Sequence, residues 1–321
     1  MCSLKMRLIN IGIVSLNPKL SSIRVIADFV RNLEREDYMI LRALASALTH
    51  HQSLTKQQLV NYSKLHEDIV DFRLKALRNF NLVSKHELGF AILSAGLDTI
   101  VLKLLADKNV VGGIGKPIGL GKESDVYAAM MNNIKLAIKF YRIGRISFRE
   151  TTKKRSFSIR QEDNSHHWLL VSINGAKREI EILQKLTNSG ISAPKPLYRA
   201  MHCVVMKRIN GIGLINLVNV EDAPLLFKKI MTNVGLAYKN DIIHSDLSEY
   251  NVLIGPTGEP YIIDWPQAVT TNHPNAKFLI TRDVTNIVNY FNRKFHLNQT
   301  VAEGMQLVLK QSALQSRTKK R

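Results

Sequence analysis

Ile242-Ile243-His244-Ser245-Asp246-Leu247-Ser248-Glu249-Tyr250-Asn251-Val252-Leu253-Ile254, followed shortly by Tyr261-Ile262-Ile263-Asp264-Trp265-Pro266, is the stretch from which the rest of the chain is read. Asp246 and Asn251 lie five residues apart on one tight loop, and Asp264 stands at the end of the next strand. Three oxygen-bearing side chains are thereby directed at one small space. Mg2+ takes oxygen ligands, usually one or two carboxylates, and leaves its other positions to water and phosphate oxygens. Asn251 and Asp264 meet that requirement as metal ligands, and Asp246 is free to orient a hydroxyl or accept its proton. The competing reading is that Asp246 and Asn251 merely cap a turn, a common use of both residue types. The acid after the following strand weighs against it, and the two segments together read as a phosphoryl-transfer site.

The 321 residues leave room for two domains, and 45% hydrophobic content is ample for packed cores. Lys and Arg number 45 against 26 Asp and Glu, a formal net charge of +19. A field of that sign attracts polyanions, so a nucleic acid or ribonucleoprotein is the favoured partner. Cys2 and Cys203 are far apart and lack metal-ligand spacing, which predicts a reduced, cytoplasmic chain with no disulfide partner. Residues 1–20 read as a loose leader, because the apolar run Leu8 to Leu16 is broken by Asn10, Gly12 and Ser15 and lacks a cleavage pattern. No run approaches the ~18 apolar residues that span a bilayer, so no membrane partner is expected.

Residues 21–108 predict a winged helix-turn-helix domain. Val25-Ile26-Phe29-Val30-Leu33 and Tyr38-Ile40-Leu41-Leu44-Ala45-Leu48 repeat with helical spacing. Ser53-Leu54-Thr55-Lys56 opens a short helix ending near Leu65, and another runs from about Asp68 to Phe80 with Ile69, Phe72, Leu77 and Phe80 apolar. Two strand-like pieces around Leu82-Val83-Ser84 and Phe90-Ala91-Ile92-Leu93 form the wing, and Ser94 to Asp107 is a further amphipathic helix. The helix from His66 to Asn79 is the candidate groove reader, with Arg73, Lys75 and Arg78 as nucleic-acid contacts. Glu67, Asp68 and Asp71 share that helix, so protein docking competes with nucleic-acid binding there.

A second domain is expected over 109–300, with an N-lobe to about 206, a hinge at 207–210 and a C-lobe from 211; residues 301–321 are read as a C-terminal helix and basic tail. Gly119-Leu120-Gly121-Lys122-Glu123-Ser124 is a glycine-rich turn between strands, able to bring backbone N–H groups to phosphate oxygens, with Lys122 and Ser124 as side-chain donors. Lys139 sits in the apolar strand Leu136-Ala137-Ile138-Lys139-Phe140-Tyr141, where an unpaired ammonium is costly. The α- and β-phosphates of ATP answer that need, with a helix carboxylate fixing the amine. Glu179 is the chosen carboxylate, since Glu181 lies about 200° further round the helix. Arg142 to Arg160 is the densest basic stretch, and Ser147, Thr151, Thr152, Ser156 and Ser158 make it an autophosphorylation candidate. Lys207 and Ile209 mark a hinge whose backbone groups are expected to read an adenine edge, with Ile118, Ala137, Met206, Leu253 and Ile263 as apolar walls that would equally serve as ordinary core. Asp283 is placed to hydrogen-bond the catalytic-loop backbone.

His244-Ser245-Asp246 to Asn251 follows the H-x-D-x-x-x-x-N spacing of kinase catalytic loops. The ordered set of glycine turn, Lys139-Phe140-Tyr141-Arg142-Ile143-Gly144-Arg145, His244 to Asn251 and Asp264-Trp265-Pro266-Gln267 resembles, over about residues 21 to 300, the RIO family of atypical serine kinases, in its subgroup with an N-terminal winged helix. The resemblance implies an α+β chain, a winged helix-turn-helix domain followed by a bilobal, truncated protein-kinase-like domain. It also implies ATP and Mg2+ (Mn2+ as substitute), with Glu123 among the nucleotide contacts, serine autophosphorylation, ATPase turnover and a role in late maturation of the small ribosomal subunit. The partner would be the small-subunit pre-ribosome, its rRNA and ribosomal proteins. A tail shorter than that of eukaryotic members suggests an archaeal source.

The departures from ordinary kinases carry their own expectations. Trp265-Pro266 replaces Phe-Gly, Ser245 replaces an Arg, and eighteen residues separate Asp264 from Asp283, too few for an activation loop and peptide platform. Asp264 is therefore a candidate to take the phosphoryl group itself, as carboxylates do in some ATPases. Two other readings stand beside the kinase: a small-molecule phosphotransferase, and a nucleotide-gated RNA-binding scaffold without essential chemistry.

Overall fold

The computed structural model describes residues 23–48, 53–143 and 165–314. The expected leader, most of the basic Ser/Thr-rich stretch after Arg142 and the basic tail lie outside these residues. The chain divides into two compact units, Met1–Ala176 with Tyr198–Val205, and Lys177–Leu197 with Met206–Arg321.

The first unit opens with helices α1 (Ile23–Asn32), α2 (Arg35–Ala47), α3 (Lys56–Ser63) and α4 (Glu67–Asn79), the hairpin β1 (Val83–His86) and β2 (Gly89–Ile92), and α5 (Ser94–Asp107). Local chemistry sets the helix starts. Thr55 accepts the Gln58 amide while the Gln58 side chain accepts the Thr55 backbone N–H, and His66 accepts the Asp68 amide to open α4. In α4 the core face is Val70, Leu74 and Leu77. Ile69 and Phe72, read from the sequence as apolar, are instead 40% and 65% exposed.

A five-stranded sheet follows, in the order β3 (Gly113–Leu120), β4 (Ser124–Met131), β5 (Ile134–Tyr141), β7 (Cys203–Lys207) and β6 (Pro196–Ala200). The β3–β4 register slips on both sides of Pro117, which has no N–H to give the ladder. The expected boundary at 108/109 is not a gap in packing. Ile40, Leu41, Leu77, Val101 and Leu105 share one core with Ile114, Ile138, Phe140 and Cys203.

The second unit begins within helix α6 (Ser165–Asn188), so the part of the helix from Lys177 on, Glu179 included, falls here while its earlier turns belong to the first unit. It continues after Val205 with β8 (Ile212–Gly213), α7 (Ala223–Lys239), β9 (Val252–Ile254), β10 (Pro260–Ile262), α8 (Ala276–Phe295) and α9 (Val301–Leu314). Strands β10, β9 and β8 form an antiparallel sheet in that order. Phe227 of α7 meets Phe291 of α8 edge to face, ring centroids 5.4 Å apart. Helix α9, the C-terminal helix expected from the sequence, packs on α7 and α8 with Val308 fully buried. Gly304 makes that approach possible, because a Cβ there would stand 2.8 Å from Val284 and 3.2 Å from Val288.

Candidate active site

The catalytic loop is built around Asp283. This residue projects from the second turn of α8, fully buried, and its two carboxylate oxygens accept the backbone N–H groups of Ser245 at 2.7 Å and Leu247 at 3.1 Å. Asp246 is held between those two donors with its own side chain exposed. Arg282 donates to the Ser245 carbonyl, and Asn286, one turn along the same face, donates to the Leu247 carbonyl at 2.9 Å. Arg282 and Asn286 were not read from the sequence; polar residues at i and i+4 on the buried side of a helix are the signal that would have found them.

Burial raises the Asp283 carboxyl to about 6, against the two N–H donors that favour its charged form. A raised folded pKa means that this group stabilises the fold most below its ordinary value of 3.8, and that the contribution is lost as pH rises to about 6. The span corresponds to roughly 3 kcal/mol. Asp283→Asn removes that slope and leaves one loop N–H facing an amide NH2, a cost of about 1–3 kcal/mol. Urea unfolding of both proteins from pH 4 to 7.5 measures it: the stability gap narrows with rising pH, and a constant gap contradicts the assignment.

Asn251 donates its side-chain N–H to the Asp246 carbonyl at 2.8 Å, which leaves its amide oxygen uncommitted to that bond. Its own carbonyl accepts the Ile263 amide at 2.9 Å, tying the loop to the segment that carries Asp264. Asp264 is exposed, with a φ of +65°, and Ser245 has a φ of +60°. Left-handed backbone at non-glycine residues costs of order 1–3 kcal/mol each and persists where the surroundings impose it. Here the imposing contacts are visible. His244 donates from Nε2 to the Ile263 carbonyl at 2.9 Å, its Nδ1 accepting the Asp246 amide, and its ring lies 4.6 Å from that of buried Trp265. The Trp265 indole N–H reaches the Ile262 carbonyl at 2.9 Å, and its amide faces Glu179 at 3.4 Å. Glu179 is buried and Glu181 exposed, as the helical spacing requires.

In the first unit the glycine-rich turn closes with the Gly121 amide on the Ser124 carbonyl at 2.8 Å, leaving Leu120, Lys122 and Glu123 exposed. An added Cβ at Gly119 would meet nothing nearer than Val126 at 3.8 Å. The fold therefore does not demand glycine there for lack of space. Gly119→Ala is expected to leave the melting temperature unchanged and weaken ATP binding by about fivefold, or ~1 kcal/mol; calorimetric titration checks it. Lys139 lies on β5, 5% exposed, with its ammonium 5.0 Å from the Tyr141 ring.

Two expectations are corrected. The Lys207 N–H donates to the Lys195 carbonyl at 2.8 Å and is not free to read an adenine edge; Met206 is buried and Ile209 half-buried. Of the proposed nucleic-acid contacts, Lys75 and Arg78 are exposed, but Arg73 is ion-paired to Glu34, lies 3.7 Å from Asp37 and is only 17% exposed. Ile118 is exposed, Ala137 buried, and Leu253 and Ile263 half-buried.

The strand-borne lysine in the first unit, and the loop with Asp246 and Asn251 and the acid after β10 in the second, are the parts of a protein-kinase-like fold. The RIO domain family model matches residues 125–303, and the chain belongs to the RIO family of serine/threonine-protein kinases. Its N-terminal part places it with the Rio2 kinases, since the Rio2 N-terminal model matches residues 30–108. The Rio2 kinase of Methanocaldococcus jannaschii is 34% identical over 254 residues, 77% of this chain and 92% of the relative. The RIO2 kinase of Caenorhabditis elegans is 32% identical over 277 residues, 85% of this chain, which spans about half (52%) of that relative. Among solved structures, the Rio2 kinase–ADP/Mg2+–phosphoaspartate complex of Chaetomium thermophilum aligns with a TM-score of 0.77 at 26% identity, over 90% of this chain and 92% of that one. Archaeal and eukaryotic relatives alike match, so the archaeal source suggested by the short tail finds no support.

Proposed function

We propose that this kinase binds ATP with Mg2+, autophosphorylates on serine and turns ATP over as a step in late maturation of the small ribosomal subunit, acting in the cytoplasm. The observation that carries the chemistry is Asn251, whose N–H is committed to the Asp246 carbonyl so that its oxygen is left for a cation near the exposed acid it positions. In this reading Asn251 and Asp264 hold the metal, Lys139 and the glycine turn hold phosphates, and Asp246 orients the acceptor hydroxyl. Mn2+ can substitute for Mg2+, because both accept oxygen ligands in octahedral geometry. A pre-ribosomal partner, rRNA and ribosomal proteins together, fits the +19 charge and the exposed Lys75 and Arg78.

The short segment between Asp264 and Asp283 favours a second route. An Asp264 oxygen attacks the γ-phosphorus, the bond to the β-phosphate oxygen breaks, ADP leaves, and water then hydrolyses the acyl phosphate to release inorganic phosphate. The Chaetomium relative was solved as an ADP/Mg2+–phosphoaspartate complex. The same short segment also keeps a scaffold gated by nucleotide binding alone in view. Single-turnover consumption of [γ-32P]ATP, with and without purified small-subunit precursors, tests the proposal in wild type and Lys139→Ala. Turnover that needs Lys139 and changes with the precursor supports it; binding without turnover in either favours the scaffold.

A further inference from the structure

Arg142 was read from the sequence as the head of a basic loop, and the structure buries it. Its guanidinium makes a two-pronged bond to Asp98, Nη1 to Oδ1 at 2.9 Å and Nη2 to Oδ2 at 2.7 Å, and its Nε reaches Asp125 at 3.2 Å. Nε2 of His202 sits 2.9 Å from the same Asp98 Oδ1, and with its Nδ1 buried without a hydrogen-bond partner, the bridging proton belongs on Nε2. Asp98 belongs to α5 of the winged module, 2% exposed, while Arg142 follows β5 and Asp125 lies on β4. Burial alone would push the Asp98 carboxyl up, but Arg142 and His202 outweigh it and hold it below the ordinary value.

The backbone of Arg142 adds the connection that matters. Its N–H donates to the Glu123 carbonyl at 2.6 Å, inside the glycine-rich turn. One residue therefore grips the return arm of that turn twice, at the Glu123 carbonyl and the Asp125 carboxylate, on either side of Ser124, whose carbonyl closes the turn on Gly121. A planar guanidinium gripped on two edges has little rotational freedom, and what fixes its other edge is a carboxylate from the N-terminal domain.

We propose that Asp98 of the winged module is a positioning residue for the phosphate-binding turn, acting through Arg142 to hold the Glu123–Asp125 arm where nucleotide phosphates are met. The proposal rests on the reading of that turn as a nucleotide site. It gives the N-terminal domain a part in nucleotide affinity although Asp98 touches no nucleotide.

The test compares wild type, Asp98→Asn, Asp125→Asn and Lys139→Ala in the full chain. Hydrogen–deuterium exchange of residues 117–126 without nucleotide reads the hold directly, and titration with ATP and with adenosine separates phosphate contacts from base contacts. Asp98→Asn keeps the shape but cannot match both guanidinium prongs. It is expected to quicken exchange in 117–126, weaken ATP binding by about tenfold, leave adenosine binding and kcat at saturating ATP within a factor of ~2, and be mirrored by Asp125→Asn. Unchanged exchange in the turn overturns the proposal, as does equal loss of ATP and adenosine affinity, which marks general unfolding. Faster exchange with unaltered ATP affinity, while Lys139→Ala still abolishes binding, shows a purely structural pair and overturns it too. If Lys139→Ala leaves ATP affinity intact, the nucleotide site itself is misassigned and the proposal falls with it.

Discussion

Asp246→Ala is expected to lower single-turnover phosphoryl transfer by about a thousandfold, within the 10²–10⁴ that a positioned acid–base group contributes, while ATP affinity stays within a factor of ~2. The separation follows from how the residue is held. Its backbone is fixed by Asp283 below and by Asn251 at its own carbonyl, and none of those bonds uses the Asp246 side chain. Truncation therefore removes a carboxylate and leaves the loop standing. Acid-quenched transfer from [γ-32P]ATP, run beside calorimetric binding, measures both quantities. Transfer that survives at the wild-type rate removes Asp246 from the chemistry; a parallel loss of binding shows that the loop collapsed and sends the question to Asp246→Asn.

The second large effect is expected at Asp264. An asparagine there can still offer one neutral oxygen to a cation but cannot form an acyl phosphate, so Asp264→Asn divides the two roles proposed for the residue. We expect no acid-stable, hydroxylamine-labile phosphoprotein, turnover reduced by at least about a thousandfold, and a weaker dependence of ATP affinity on Mg2+. Wild type should show the labile species after one turnover. Labile phosphoprotein persisting in Asp264→Asn would move the acceptor elsewhere, and its absence in wild type would leave direct transfer to a hydroxyl.

The catalytic loop was legible because its chemistry is local: Asp246, Asn251 and Asp264 fall within nineteen positions, and turn capping alone does not account for three such residues at that spacing. Asp283 was expected to bond the catalytic-loop backbone, and the structure adds that it is buried with both oxygens on the Ser245 and Leu247 N–H groups. What the sequence concealed depends on partners remote in the chain. Arg142 looks like the first of seven basic residues until Asp98, 44 positions earlier, and His202, 60 later, are seen around it. Arg73 was misread in the same way, because Glu34 is 39 positions away. Periodicity could not separate Ile69 and Phe72 from Val70 and Leu74, since all are apolar and only packing shows which face is covered. The partition into units was hidden because it cuts through α6 and β7, where regular structure runs on unbroken.

The RIO domain, as sequence relatives delimit it, stops at residue 303, one position before Gly304. That glycine sits against Val284, Val288 and Phe227, so trimming the chain at the family boundary would strip the remainder of α9 and bare the apolar faces of the two helices beneath it. Domain limits taken from alignments would therefore discard the glycine contact and the fully buried Val308, whereas a boundary at Lys310 keeps both.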